Sequence, residues 1–138
     1  MNRMIKVFGC FLLIFSTLLQ FNADTVFARS GNVILKVRQV TKKSSNVRVK
    51  VVVNNNTSKE ISVGAGYTLQ KKSGNGWEKI KAKKNASTPS FAYMIESGKK
   101  KSLSFNLRNS FKKSDLKKGK YRIGISVNNK IKYARFTI

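Results

Sequence analysis

Glu60, Glu78, Glu96 and Asp115 are the carboxylates that remain once the first 28 residues are set aside, and the chain has no histidine. General acid and base catalysis needs titrating groups within hydrogen-bond reach of a substrate and tuned by their neighbours. Glu60 and Glu96 fall in polar turns, and Glu78 follows Trp77 at an outward position, so each reads as a solvated counter-charge. The one cysteine, Cys10, lies in the leader described below. Its loss removes thiol nucleophiles, disulfides and nearly every zinc or copper site from the mature chain. Ser102 beside Lys101 has the residue types of an acyl-transfer pair, but serine and lysine are so frequent here that adjacency carries no signal. The expectation is a protein with no catalytic residues, no cofactor, no metal and no small-molecule substrate.

What stands above background is charge. Lys and Arg number 29 against 5 Asp and Glu, a formal net charge of +24. Lysine on exposed strands blunts edge-to-edge pairing, which explains some of these residues. It does not explain so few acids, because an ordinary soluble surface mixes both signs to limit self-repulsion. Lys83, Lys84, Lys99, Lys100, Lys101, Lys112, Lys113, Lys117 and Lys118 fall mainly in turns and loops, where ammonium groups reach a ligand without being buried. They are the candidate polyanion-binding residues. The partners such clusters reward, through counterion release, are anionic cell-wall polymer, an anionic lipid surface, and extracellular nucleic acid or glycan. Sequence-specific reading of DNA is disfavoured, since Lys outnumbers Arg and no reading helix is visible.

The compartment follows from the start of the chain. Arg3 and Lys6 precede an apolar run over residues 7–19, and Val26-Phe27-Ala28 stands before Arg29. This is the pattern of a signal peptide cleaved after Ala28. The apolar run is shorter than the roughly 20 residues that cross a bilayer. Cys10 lies inside that run rather than after it, so a lipid-anchored product is not expected. Cleavage removes Arg3, Lys6 and Asp24, and the formal charge falls from +24 to +23. The product is secreted or associated with the cell surface.

Residues 29–138 then suffice for one modest core. Val47, Val49, Val51 and Val53 alternate with Arg48 and Lys50, the period of a half-buried strand. Similar alternation predicts strands over residues 32–40, 61–72, 103–107, 121–127 and 131–138, with a bulge at Gly64-Ala65-Gly66. Ser73-Gly74-Asn75-Gly76 predicts a hairpin that returns through Trp77 and Ile80 to burial, and Asn128-Asn129 predicts a two-residue turn. Residues 81–90 carry the only proline and read as a loop crossing between sheets; residues 91–95 are short and apolar. Residues 109–118 read as a loop with room for one helical turn near Ser114. Tyr67, Phe105 and Tyr121 fall on apolar faces and are assigned to the core, whereas Trp77, Tyr93 and Tyr133 are not assigned. The fold class is all-β, an antiparallel two-sheet sandwich of about seven to eight strands.

At Leu116-Lys117-Lys118-Gly119-Lys120-Tyr121-Arg122-Ile123 the chain resembles the tyrosine corner of immunoglobulin-type sandwiches. Ile123 stands where an antibody domain has its second cysteine. With Gly66 to Lys72, Gly76-Trp77, Phe91-Ala92 and Glu96-Ser97-Gly98, the order over residues 32–138 resembles a family of bacterial immunoglobulin-like domains of small secreted proteins. That resemblance implies a non-catalytic binding module. The series is also similar, more distantly, to the intracellular proteinase inhibitors of bacilli, which implies the alternative of inhibiting a partner enzyme through loops.

Overall fold

The structure, a computed structural model, describes residues 30–138. The expected leader over residues 1–28, with its expected cleavage site and Cys10, lies outside the described residues. Eight strands form two antiparallel sheets. The smaller sheet has the order β1-β2-β6, from β1 (Ser30–Lys42), β2 (Val47–Thr57) and β6 (Lys100–Asn106). The larger has the order β4-β3-β7-β8, from β3 (Ile61–Ser73), β4 (Gly76–Lys79), β7 (Lys120–Val127) and β8 (Lys130–Thr137), with β5 (Ala92–Ile95) also paired to β3. The expected immunoglobulin-like sandwich is the observed architecture.

The core is built by period-two alternation. Val47, Val49, Val51 and Val53 are buried on the inner face of β2, while Arg48 and Lys50 are exposed on its outer face. They meet Leu69, Tyr121, Ile123 and Ile125 of the opposite sheet. The register of β3 against β7 shifts between Val63 and Tyr67, which is the bulge expected at Gly64-Ala65-Gly66. Asn128 and Asn129 both adopt positive φ, 47° and 63°, and close the β7–β8 hairpin as a two-residue turn.

Four expectations are corrected. The loop over residues 81–90 does not cross between sheets, because β4 and β5 both pair with β3, along different halves of one edge. Leu107 does not continue β6. Asn106 accepts a hydrogen bond from the Arg108 amide at 3.2 Å, and this cap turns the chain into the short helix α1 (Leu107–Ser110), leaving Leu107 buried. The helical turn further on is a 3-10 turn over Lys113–Asp115 that contains Ser114 instead of being capped by it. Trp77, expected to return to burial, is half-buried on the outer face of β4.

The tyrosine corner is formed. The fully buried Tyr121 donates its hydroxyl to the Lys117 carbonyl, with a longer contact of 3.3 Å to the Asp115 carbonyl. Its ring stacks on Phe136 at a centroid distance of 5.7 Å. Tyr121→Phe should therefore cost about 1 kcal/mol at neutral pH, read by denaturant unfolding. Burial pushes the Tyr121 hydroxyl above its usual 10.0, and the Asp115 carboxylate pushes it the same way. The fold thus prefers the neutral phenol, whose contribution is complete below about pH 10 and is lost as pH rises through the raised folded value. The stability gap between the parent and Tyr121→Phe should stay constant up to about that pH and shrink above it. A gap that widens with alkali would contradict this assignment.

Candidate polyanion-binding surface

Strand direction sorts the charges. The β1–β2 turn, the β3–β4 turn, α1, the 3-10 turn and the start of β7 share one end of the sandwich. That end carries Lys42 and Lys43, Lys71 and Lys72, Arg108, Lys112 and Lys113, and Lys117, Lys118 and Lys120. Glu78 and Asp115 are the acids there. The opposite end, made by the turns after β2, β5 and β7, carries Lys59, Lys99 and Lys130 with Glu60 and Glu96. Charge is nearly balanced at one end and strongly cationic at the other.

The nine lysines singled out by sequence are divided by this arrangement. Lys112, Lys113, Lys117 and Lys118 are exposed at the cationic end. Lys83 joins them, but its Nζ donates to the Arg108 carbonyl at 2.6 Å, and its amide to the Ser110 carbonyl at 2.8 Å. It therefore fastens the loop to α1, while Lys84 remains exposed. Lys99, Lys100 and Lys101 lie at the other end and do not act as one cluster, because successive strand residues point to opposite faces. Lys100 stands on the outer face of the smaller sheet beside Lys36 and Arg38. Lys101 is half-buried, with Nζ 4.5 Å from the ring centroid of Tyr93.

Two groupings were not found by sequence reasoning. Lys42, Lys43, Arg108 and Lys113 line a concavity of about 340 Å³ at the cationic end, floored by Val47 and Leu116. Among the described residues, the Nε of Arg108 is a buried polar atom with no hydrogen-bond partner. A buried donor left unpaired costs about 1–3 kcal/mol.

The second grouping is on the outer face of the larger sheet. Register aligns Lys79, Gln70, Arg122 and Arg135 in one row across β4, β3, β7 and β8. The Nε of Arg122 donates to Gln70 Oε1 at 2.6 Å, and its guanidinium carbon lies 4.0 Å from the Tyr133 centroid and 4.8 Å from that of Trp77. Lys72 Nζ and the Arg135 guanidinium also lie over Trp77, at 5.4 and 5.8 Å. The available signal was the hairpin register, which sets Trp77 opposite Lys72.

The fold is similar to several solved structures at low identity. The archaellum periplasmic stator protein FlaG from Sulfolobus acidocaldarius matches at 15% identity and a TM-score of 0.42, over 78% of this chain and 100% of that one. A β-glucosidase from Kluyveromyces marxianus matches at 12% identity and a TM-score of 0.40, over 79% of this chain and 14% of that one. The Pseudomonas fluorescens alkylpurine DNA glycosylase AlkC matches at 10% and 0.39, over 82% and 32%. No curated protein matches in sequence. The model of the bacterial Ig-like domain matches residues 29–137, and the chain belongs to that family.

Proposed function

We propose that this chain is a secreted, non-catalytic binding module that associates electrostatically with an extracellular polyanion, foremost an anionic cell-surface polymer. The observation that carries this reading is the gathering of cations at one end of the sandwich, where Glu78 and Asp115 are the acids. Solvated ammonium groups gain little from one contact each, but their contributions add over many. That suits a repeating polymer better than one small ligand. The concavity beside Arg108 supports the same reading, since Lys42, Lys43, Arg108 and Lys113 line it.

The test is retention of the protein, made from Arg29 onward, on anionic wall polymer, nucleic acid and protease resins across a salt series. Retention on the polyanions should fall linearly in log affinity against log salt, losing roughly tenfold for every three or so phosphate contacts on a modest rise in salt. Salt-independent retention, or retention by the protease resin alone, would favour a shape-specific protein partner instead. Secretion is tested separately. Mass spectrometry of the exported protein should find Arg29 as its first residue, and a product that keeps residues 1–28 would reject the cleavage.

A further inference from the structure

We infer that the outer face of the larger sheet, centred on Arg122 between Tyr133 and Trp77, is a preorganised site for a base-free phosphodiester polymer, a polyol phosphate. The inference rests on the polyanion reading and says where such a polymer is gripped and what its backbone is.

Cations in the loops are free to rotate, and each loses side-chain entropy when it meets an anion. On this face the cost is met in advance by folding. Gln70 fixes the Nε of Arg122, Tyr133 and Trp77 flank its guanidinium plane, and Trp77 also lies under Lys72 and Arg135. Gly124 makes the arrangement possible. A Cβ there would stand 2.6 Å from Thr68 Oγ1 and 2.8 Å from Tyr133 Cε1, so its absence lets Tyr133 close over β7 beside Arg122. A held guanidinium presents a planar fork that matches a phosphate bidentately. Lys72 and Lys120 continue the same cationic face beside Trp77, around a concavity of about 390 Å³ that Arg135 completes.

The class of polymer follows from what the aromatics already touch. Single-strand nucleic acid is bound by stacking bases on open aromatic faces. Here cations of the protein lie over Trp77, and Arg122 lies over Tyr133, so a base would have to displace them. The rings hold the cations and the cations read the charge. A phosphodiester chain without bases needs nothing more.

Trp77 is the one tryptophan in the chain, so its fluorescence reports on this face alone. The experiment titrates the parent with poly(glycerol phosphate), oligo(dT) and heparin at matched charge, following Trp77 emission, and compares the affinities of Trp77→Ala and Arg122→Lys by calorimetry, with circular dichroism to check folding. Poly(glycerol phosphate) should change the Trp77 emission. Both variants keep the net charge of the parent, yet each should bind it about tenfold more weakly. If Trp77→Ala fails to fold, Arg122→Lys decides the matter, because it retains both the charge and the fluorophore. Parent-like affinity in a folded variant, with salt-dependent binding intact, would overturn this site and leave the polyanion reading standing. Failure of the parent to bind any of the three polymers would overturn both. A Trp77 response to oligo(dT) or heparin equal to that for poly(glycerol phosphate) would overturn the assignment of the polymer.

Discussion

Asn55→Leu should destabilise the domain by about 3–4 kcal/mol, the largest stability loss expected from a single near-isosteric change here. Asn55 is fully buried, and its amide ties three segments together. Nδ2 donates to the carbonyls of Lys59, Ile95 and Glu96 at 2.8, 2.9 and 3.0 Å. Oδ1 accepts from the Thr57 amide at 3.0 Å and from the Thr57 hydroxyl at 2.6 Å. The end of β2, the turn into β3 and the turn from β5 to β6 thus converge on one side chain. Leucine fills the volume but takes the Nδ2 donor from the Ile95 carbonyl and the Oδ1 acceptor from the Thr57 amide, while the Thr57 hydroxyl keeps the Lys59 carbonyl at 3.0 Å; a buried group left unpaired costs roughly 1–3 kcal/mol. Asn55→Asp should be no milder, because it sets a carboxylate oxygen against carbonyls that now receive Nδ2. Urea or guanidinium unfolding would read the loss as a lower midpoint at unchanged slope. A loss below about 1 kcal/mol would show that these three segments hold together without the amide.

Asn55 also marks where sequence reading stops. Within Asn54-Asn55-Asn56 it looks like any polar residue entering a loop, and what buries it is pairing with segments some forty residues away. The valines of β2 needed no such knowledge, since alternation along one strand states which face is buried. The Asn128-Asn129 turn and the tyrosine corner were likewise legible because their chemistry is local, a positive φ in one case and a short Gly-x-Tyr spacing in the other. Leu107 misled for the opposite reason. It continues the alternation of Leu103 and Phe105, and the cap that ends the strand at Asn106 is a single hydrogen bond. The same limit governs the charged surface. Lys99, Lys100 and Lys101 form one cluster in sequence, but strand geometry separates them, while Lys42, Arg108 and Lys113 meet from distant segments.

That division sets the last prediction. Reversing Lys112, Lys113 and Lys117 to Glu should weaken polyanion binding by more than about a hundredfold at low salt. Each cation near an anionic surface is worth roughly 1 kcal/mol, and three reversals remove that and add repulsion. Reversing Lys99, Lys100 and Lys101 changes the net charge equally but should weaken binding far less. Lys99 lies at the end that already holds Glu60 and Glu96, Lys100 faces the smaller sheet, and Lys101 is engaged by Tyr93. The two triple variants therefore separate position from count. The fold should survive in the first, because Lys112, Lys113 and Lys117 are exposed and it is the backbone carbonyl of Lys117 that holds Tyr121. Binding measured at low and moderate salt should show a shallower salt dependence for the first variant, since fewer counterions are released, and a nearly parental slope for the second. Equal losses in the two variants would mean that the polymer responds to the total charge of the domain, and the cationic end would then have no claim to be the site.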